Sequence, residues 1–283
     1  MDINPILFLI AVLNLLGDLY NIVRFRHHIP GWVLPANIAA LVACGLLRIF
    51  MPESSGVASI AVLLVYLGAI KFRVRAQNPN SISFPSHATK LLIACNVLAY
   101  AFQIYRDAVN IPFNMVAVGA LYSPLLEVGE WWRLVSAQFL HWGVPHLALN
   151  MLGLWILGPK VEAIMGPVRF IVAYLISGAG GMLIAWGISR YGLNPHPIIL
   201  LGASASVLGV VGLQAAFSLQ AFRYSGSLAA KAQLSSMVQI IVLQAIFDWM
   251  VPQVSSTAHL GGAVTGFLIG MLLIRPLRRR VVR

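Results

Sequence analysis

Apolar runs long enough to cross a hydrocarbon core recur from one end of this 283-residue chain to the other. A transmembrane helix needs roughly 20 mostly apolar residues. Nine stretches approach that length, near residues 3–23, 31–51, 56–72, 88–106, 146–164, 168–189, 200–220, 233–251 and 257–275. Composition excludes the usual soluble alternative, since 59% of residues are hydrophobic and only 10% are charged, against about a quarter charged in soluble domains. The expected fold class is all-α, a polytopic transmembrane helical bundle. Asn14, Asp18 and Asn21 interrupt the first span, which lacks the basic start and small-residue cleavage site of a signal peptide and is counted as a helix. The polar and aromatic stretch 107–145 does not fit a span and reads as an elaborate loop.

Charge placement gives the bundle an orientation. Cytoplasmic loops collect Lys and Arg, and the chain ends in Arg275, Arg278, Arg279, Arg280 and Arg283. With nine spans and that end in the cytoplasm, Arg24, Arg26, Lys71, Arg73, Arg75, Lys90, Lys160, Arg169, Arg223 and Lys231 also fall inside. That is fifteen of the nineteen basic residues, leaving Arg48, Arg106, Arg133 and Arg190 outside. Most acids, Asp248 among them, then fall outside, although acids weigh little in this rule. The same accounting explains the net charge of +11 without a nucleic-acid partner, because no basic soluble module is present to hold one.

The most polar segment between spans, 73–87 (RVRAQNPNSISFPSH), contains Pro79 and Pro85 and reads as a cytoplasmic linker. It separates an amino-terminal membrane region of about three helices, 1–72, from a six-helix core at 88–275, which a basic cytoplasmic tail, 276–283, follows. No repeat suggests the inverted halves of a transporter. Cys44 and Cys95 lie inside apolar runs and read as small packing residues, with no disulfide framework or metal cluster to be made from them.

Strongly polar side chains within spans are costly and are functional candidates by default. In the six-helix core, His146 and Asn150 open the second helix, Ser204 opens the fourth and His259 opens the sixth. In the orientation above, those helices all begin on the extracytoplasmic side. The four residues therefore share one shallow depth, on the order of 5–10 Å below the interface at about 1.5 Å per residue. His146 and Asn150, at i and i+4, project from one helix face. A nucleophilic serine needs a base within hydrogen-bond reach and donors aimed where an oxyanion forms. Ser204 follows Gly202, whose missing side chain lets backbone approach a substrate, and a helix amino terminus offers free N–H groups. His259 is the base available from another span. Gly262, Gly266 and Gly270 follow it, and Ala205, Gly209 and Gly212 follow Ser204; two such small-residue stripes permit close helix contact.

Each feature has an ordinary reading too. A serine in a membrane helix commonly bonds its own helix's carbonyls, an interfacial histidine commonly holds structure, and glycine stripes pack helices. A metal site at His146 and His259 is not supported, because no carboxylate or third ligand is expected at that depth. His27, His28, His87, His141 and His196 lie in or beside loops and are assigned no catalytic role.

Taken together, the motifs resemble those of the rhomboid intramembrane serine proteases over roughly residues 88–275. Glu130-Trp131-Trp132-Arg133 resembles the family's Trp-Arg loop motif. His146-x-x-x-Asn150, Gly202-x-Ser204 and Ala258-His259-x-x-Gly262-x-x-x-Gly266 then follow in matching order and spacing. The resemblance implies a Ser204–His259 dyad without a carboxylate, and an oxyanion hole of His146, Asn150 and the Ser204 backbone N–H. It implies substrates that are transmembrane segments of other proteins, entering sideways and unwinding locally. No metal or organic cofactor is implied. Two positions depart from the family pattern: Ala205 stands where Gly is frequent, and Leu208 where an aromatic often packs on the catalytic histidine. Trp131, Trp132 and Trp142 suit a membrane interface, and Arg133 reads as an anchor organising the loop.

The function expected is an intramembrane serine endopeptidase, multi-pass in the bilayer, with its site opening toward the extracytoplasmic side. One alternative is a catalytically inactive rhomboid-like protein that binds or escorts membrane proteins, against which the retention of both dyad residues argues. A small-molecule transporter would require discontinuous helices and paired charges at mid-membrane.

Overall fold

A computed structural model describes residue 84 and residues 86–108, 114–250 and 255–273, all within the unit Phe84–Arg283. The helices expected in 1–72, most of the linker 73–87 and the tail 276–283 lie outside the described residues. The elements run α1 (His87–Ala108), β1 (Leu121–Tyr122), α2 (Ser123–Glu127), α3 (Arg133–Ser136), a 3-10 turn (Ala137–Phe139), α4 (Val144–Met165), α5 (Pro167–Tyr191), β2 (Ile199–Leu200), α6 (Ser204–Ser225), α7 (Leu228–Met250) and α8 (Ser256–Leu273). Six of these helices, α1 and α4 to α8, are long and apolar enough to cross a membrane. The chain is an integral, multi-pass membrane protein.

Sequence punctuation accounts for the helix ends. Pro145 and Pro167 sit in the first turns of α4 and α5, where a missing N–H costs no helical bond. Gly166, at φ 80°, turns the chain between them, and Gly226, at φ 68°, closes α6 in the left-handed conformation. Helix α7 begins at Leu228, ahead of the expected 233, and α6, drawn from the hydropathy at 200, starts at Ser204. Residues 199–200 are extended instead, as β2 pairs antiparallel with β1 through Leu121–Leu200 and Tyr122–Ile199. Gly202 then takes φ +118°, a conformation that excludes helix and starts α6 two residues later.

Small side chains place α6 at the centre. Of its span 78% is buried, against 6% for α7. Around α6 stand α4, α5, α7 and α8, with Val207, Val210, Leu213 and Phe217 packed on Leu154, Phe170 and Tyr174. Polar groups inside the bundle fasten helices to one another. Glu162 of α4 accepts from the Ala88 and Thr89 N–H groups at 2.9 and 2.8 Å and from Thr89 Oγ1 at 2.8 Å. It thereby satisfies donors at the start of α1 that its own helix cannot. Gln214 of α6 donates to the Leu157 carbonyl and accepts from Gln233, tying α4 to α7. Cys95, read as a packing residue, is exposed on α1.

From residue 114 onward, the described segment before α4 carries more regular structure than a loop reading conveys. A turn at 115–119, β1, α2, α3 and the 3-10 turn follow in close succession. This segment is tied to the chain just before α6, since the Gly202 N–H donates to the Ala137 carbonyl at 2.8 Å.

Candidate active site

Ser204 is the first residue of α6 and His259 lies in the first turn of α8. His259 Nε2 is 2.7 Å from Ser204 Oγ. Contact this close between side chains as short as serine and histidine requires the two helix backbones nearly to touch, and the glycine stripes allow it. A Cβ on Gly262 would lie 2.1 Å from the Ala205 carbonyl oxygen, and one on Gly266 would lie 2.1 Å from that of Gly209. One on Gly212 would lie 2.0 Å from the Ala263 carbonyl oxygen. No real side chain tolerates such approaches, so α6 and α8 meet backbone to backbone.

The other edge of the imidazole is occupied as well. Both oxygens of Asp248, near the end of α7, are 2.9 Å from His259 Nδ1. A carboxylate thus lies beside the pair that the family resemblance implies without one, which corrects the argument that none stands at the depth of the two histidines. Among the described residues there is still no group of three metal-ligating side chains. A carboxylate only accepts, so Nδ1 carries the ring proton and Nε2 is left to accept from the Ser204 hydroxyl. Gln244, one turn before Asp248, donates through Nε2 to Asp248 Oδ1 at 2.7 Å. Its 3.3 Å approach to Nδ1 sets two donors face to face and is not a bond in this tautomer.

His146 and Asn150 lie on the facing part of α4. The His146 ring stacks over the missing side chain of Gly202, where a Cβ would be 2.5 Å from Cε1 and 2.7 Å from Nε2. Asn150 is buried, and its Nδ2 has no hydrogen-bond partner. His141, read as a loop histidine without a role, is fully buried, with its ring edge-on to His146 at a centroid distance of 5.0 Å. Its Nδ1 meets the Phe139 carbonyl at 3.3 Å, while burial pushes its imidazole down to about 4.

Arg133 is buried and holds the segment around it. It pairs with Glu130 at 2.6 Å, donates to the Ala120 carbonyl at 2.9 Å and to that of Val116, and lies 4.5 Å from the centroid of Trp132. Trp131, Trp132 and Trp142 are exposed.

Six spans with a bonded serine and histidine on touching helices define a polytopic helical membrane protein with a hydrolase-type side-chain pair. Comparison with known proteins narrows this. The profile of the rhomboid domain matches residues 128–276, just over half the chain, and the chain belongs to the rhomboid family. It is 30% identical over 188 residues to the Bacillus subtilis protein named rhomboid protease GluP, covering 66% of this chain and 35% of that one. It is 35% identical over 161 residues to RHOMBOID-like protein 5 of Arabidopsis thaliana, covering 56% and 50%. With rhomboid protease AarA of Providencia stuartii it shares 26% identity over 222 residues, covering 70% and 79%. The chain spans about half or less of the length of the first two.

Proposed function

We propose that this protein is an intramembrane serine endopeptidase that cleaves transmembrane segments of other membrane proteins. The observation that carries the reading is the 2.7 Å contact between Ser204 Oγ and His259 Nε2. Its setting in a rhomboid-family bundle with relatives named as proteases supports it. Ser204 Oγ attacks the scissile carbonyl carbon as its proton passes to Nε2. The C–N bond then breaks, and the same proton goes to the leaving amine. Water gives up a proton to Nε2 as it attacks the acyl carbon, the C–Oγ bond breaks, and Nε2 returns that proton to Ser204 Oγ.

The oxyanion formed at each stage is received by Asn150 Nδ2, His146 and the Ser204 N–H at the amino terminus of α6. An unpartnered buried donor is costly, and Asn150 Nδ2 is one; an oxyanion is the partner it lacks. Gly202 leaves the room in which His146 and a substrate backbone meet. Because a transmembrane helix hides its carbonyls in its own hydrogen bonds, the substrate must open locally to be cut. The basic carboxyl terminus faces the cytoplasm, and the site opens toward the other side.

The test is cleavage of a reconstituted model transmembrane substrate by wild type, Ser204→Ala and His259→Ala at matched folding. Cleavage by wild type alone is the expected result. Activity persisting in Ser204→Ala sinks the nucleophile assignment. A wild type inert across a varied substrate panel moves the reading to a protein that binds or escorts membrane proteins.

A further inference from the structure

Asp248 is a charged side chain on the helix least enclosed by the bundle. Only 6% of the α7 span is buried, and its neighbour Trp249 is 85% exposed. The Asp248 side chain is nevertheless 2% exposed, against an 8% exposed His259 ring. Burying a carboxylate is expensive, and it persists where hydrogen bonds and a partner offset the cost. Here both oxygens converge on one nitrogen, His259 Nδ1, and Gln244 Nε2 steadies Oδ1 from one helical turn away. A carboxylate serving only to fasten α7 to α8 would be satisfied by any donor on α8. This one takes the single ring position that fixes which nitrogen faces Ser204.

That position has a chemical consequence. A proton held on Nδ1 leaves Nε2 with its lone pair toward the serine hydroxyl. When Nε2 takes the serine proton, the ring becomes a cation beside a carboxylate already in place. A hydrogen bond in the ring plane also sets the angle of the ring. Leu208, where the family resemblance leads one to expect an aromatic against the histidine, instead packs with Val211, Ala215, Met237 and Ala263.

We propose that Asp248 is a positioning residue for peptide-bond cleavage, which from α7 holds the His259 ring of α8 in the tautomer and angle that serve Ser204 of α6. This rests on the proteolytic reading above. It makes the seating of the end of α7 against α8 a condition of catalysis, since the carboxylate arrives on α7 alone.

The experiment uses the full chain in liposomes with the model transmembrane substrate, comparing wild type with Asp248→Asn, Asp248→Ala and Asp248→Glu. Asparagine has the shape of aspartate. With its Oδ1 kept by Gln244, its amide N–H₂ faces Nδ1 and drives the ring proton to Nε2, where it blocks acceptance from serine. Replacement of the aspartate in such a triad by asparagine costs about 10⁴ in kcat, and a loss of about 10³–10⁴ with KM unchanged is expected here. Alanine removes the orienting carboxylate altogether, and a loss of about 10⁴ is expected, the order seen when the aspartate of such a triad is deleted alone. Glutamate, which keeps the carboxylate, retains more activity than either.

Ring ¹⁵N shifts of labelled histidine read the tautomer independently of turnover: Nδ1–H in wild type, Nε2–H in Asp248→Asn. A purely structural fastening would lower folding in proportion to activity and would leave the ring proton on Nδ1 in Asp248→Asn. Should Asp248→Ala fail to fold, the isosteric Asp248→Asn carries the test alone. Asp248→Asn turning over at the wild-type rate, beside an active wild type, overturns this inference and leaves the protease reading intact. A wild type that neither cleaves nor takes a fluorophosphonate label on Ser204 overturns both.

Discussion

Gly266 on α8 approaches Gly209 on α6 so closely that a Cβ on Gly266 would lie 2.7 Å from the Gly209 Cα and 2.1 Å from its carbonyl oxygen. The obstructing atoms are backbone and cannot swing aside as a side chain would. Gly266→Ala must therefore push the helices apart near the turn that carries Ser204 and His259. Overpacking of this kind costs about 1–3 kcal/mol, and a displacement of about 1 Å at reacting groups costs about 10² in rate. The expected outcome is a lowered denaturation midpoint together with a rate loss of that order, measured by thermal unfolding in detergent and by substrate cleavage. Wild-type activity in Gly266→Ala would show that the close approach does not position the pair.

Asn150 separates stability from chemistry in the opposite way. Its Nδ2 is buried without a partner, so Asn150→Ala breaks no hydrogen bond made by that group and removes a desolvated donor. Melting temperature is expected to be unchanged or raised. Cleavage is expected to fall about 10²–10³ in kcat, the usual effect of deleting one oxyanion donor. A fall in stability with proportional loss of activity would instead assign Asn150 to the packing of α4.

The contact between Ser204 and His259 is legible in the sequence because each is a polar residue in an apolar span, and each heads a stripe of small residues that close helix contact explains. Asp248 met the first criterion as well, lying inside a stretch drawn as a span at 233–251. Charge placement sets it among the extracytoplasmic acids, which weigh little in fixing orientation. Its partner is on another helix eleven residues away, and nothing in the periodicity of α7 says which of its faces meets α8. The start of α6 was misplaced for a different reason. Ile199 and Leu200 are as apolar as the helix that follows, and the pairing with β1 that makes them extended comes from the far segment Leu121–Tyr122. Likewise, the short helices between α1 and α4 are fixed by Arg133 bridging carbonyls thirteen and seventeen residues before it, a tertiary cause with no local signature.

Arg133 should therefore behave as a structural anchor. Hydrogen bonds to charged groups contribute about 1.5–3 kcal/mol each, and Arg133 makes them to Glu130 and to the carbonyls of Val116 and Ala120. Arg133→Ala is expected to destabilise by about 2–4 kcal/mol. Arg133→Lys should recover little, since one ammonium cannot reproduce a planar fork. Activity per folded molecule, from single-turnover cleavage normalised to fluorophosphonate-labelled Ser204, should stay within a few-fold of wild type. A large fall in that normalised rate would give Arg133 a direct part in the chemistry.

His141 makes stability fall on acidification. Burial holds its imidazole down to about 4 in the fold, against about 6.5 in the unfolded chain. Between those values the unfolded state binds a proton that the folded state refuses, so stability rises with pH across the window. The contribution is complete above about pH 6.5 and is lost as pH falls toward 4, reaching about 3 kcal/mol at about 1.36 kcal/mol per unit. His141→Phe keeps a ring edge-on to His146 and removes the titration. Its denaturation midpoint should therefore vary less between pH 6.5 and 4 than that of wild type, measured in matched detergent. Parallel pH dependence in the two proteins would mean that the proton is resisted elsewhere in the fold.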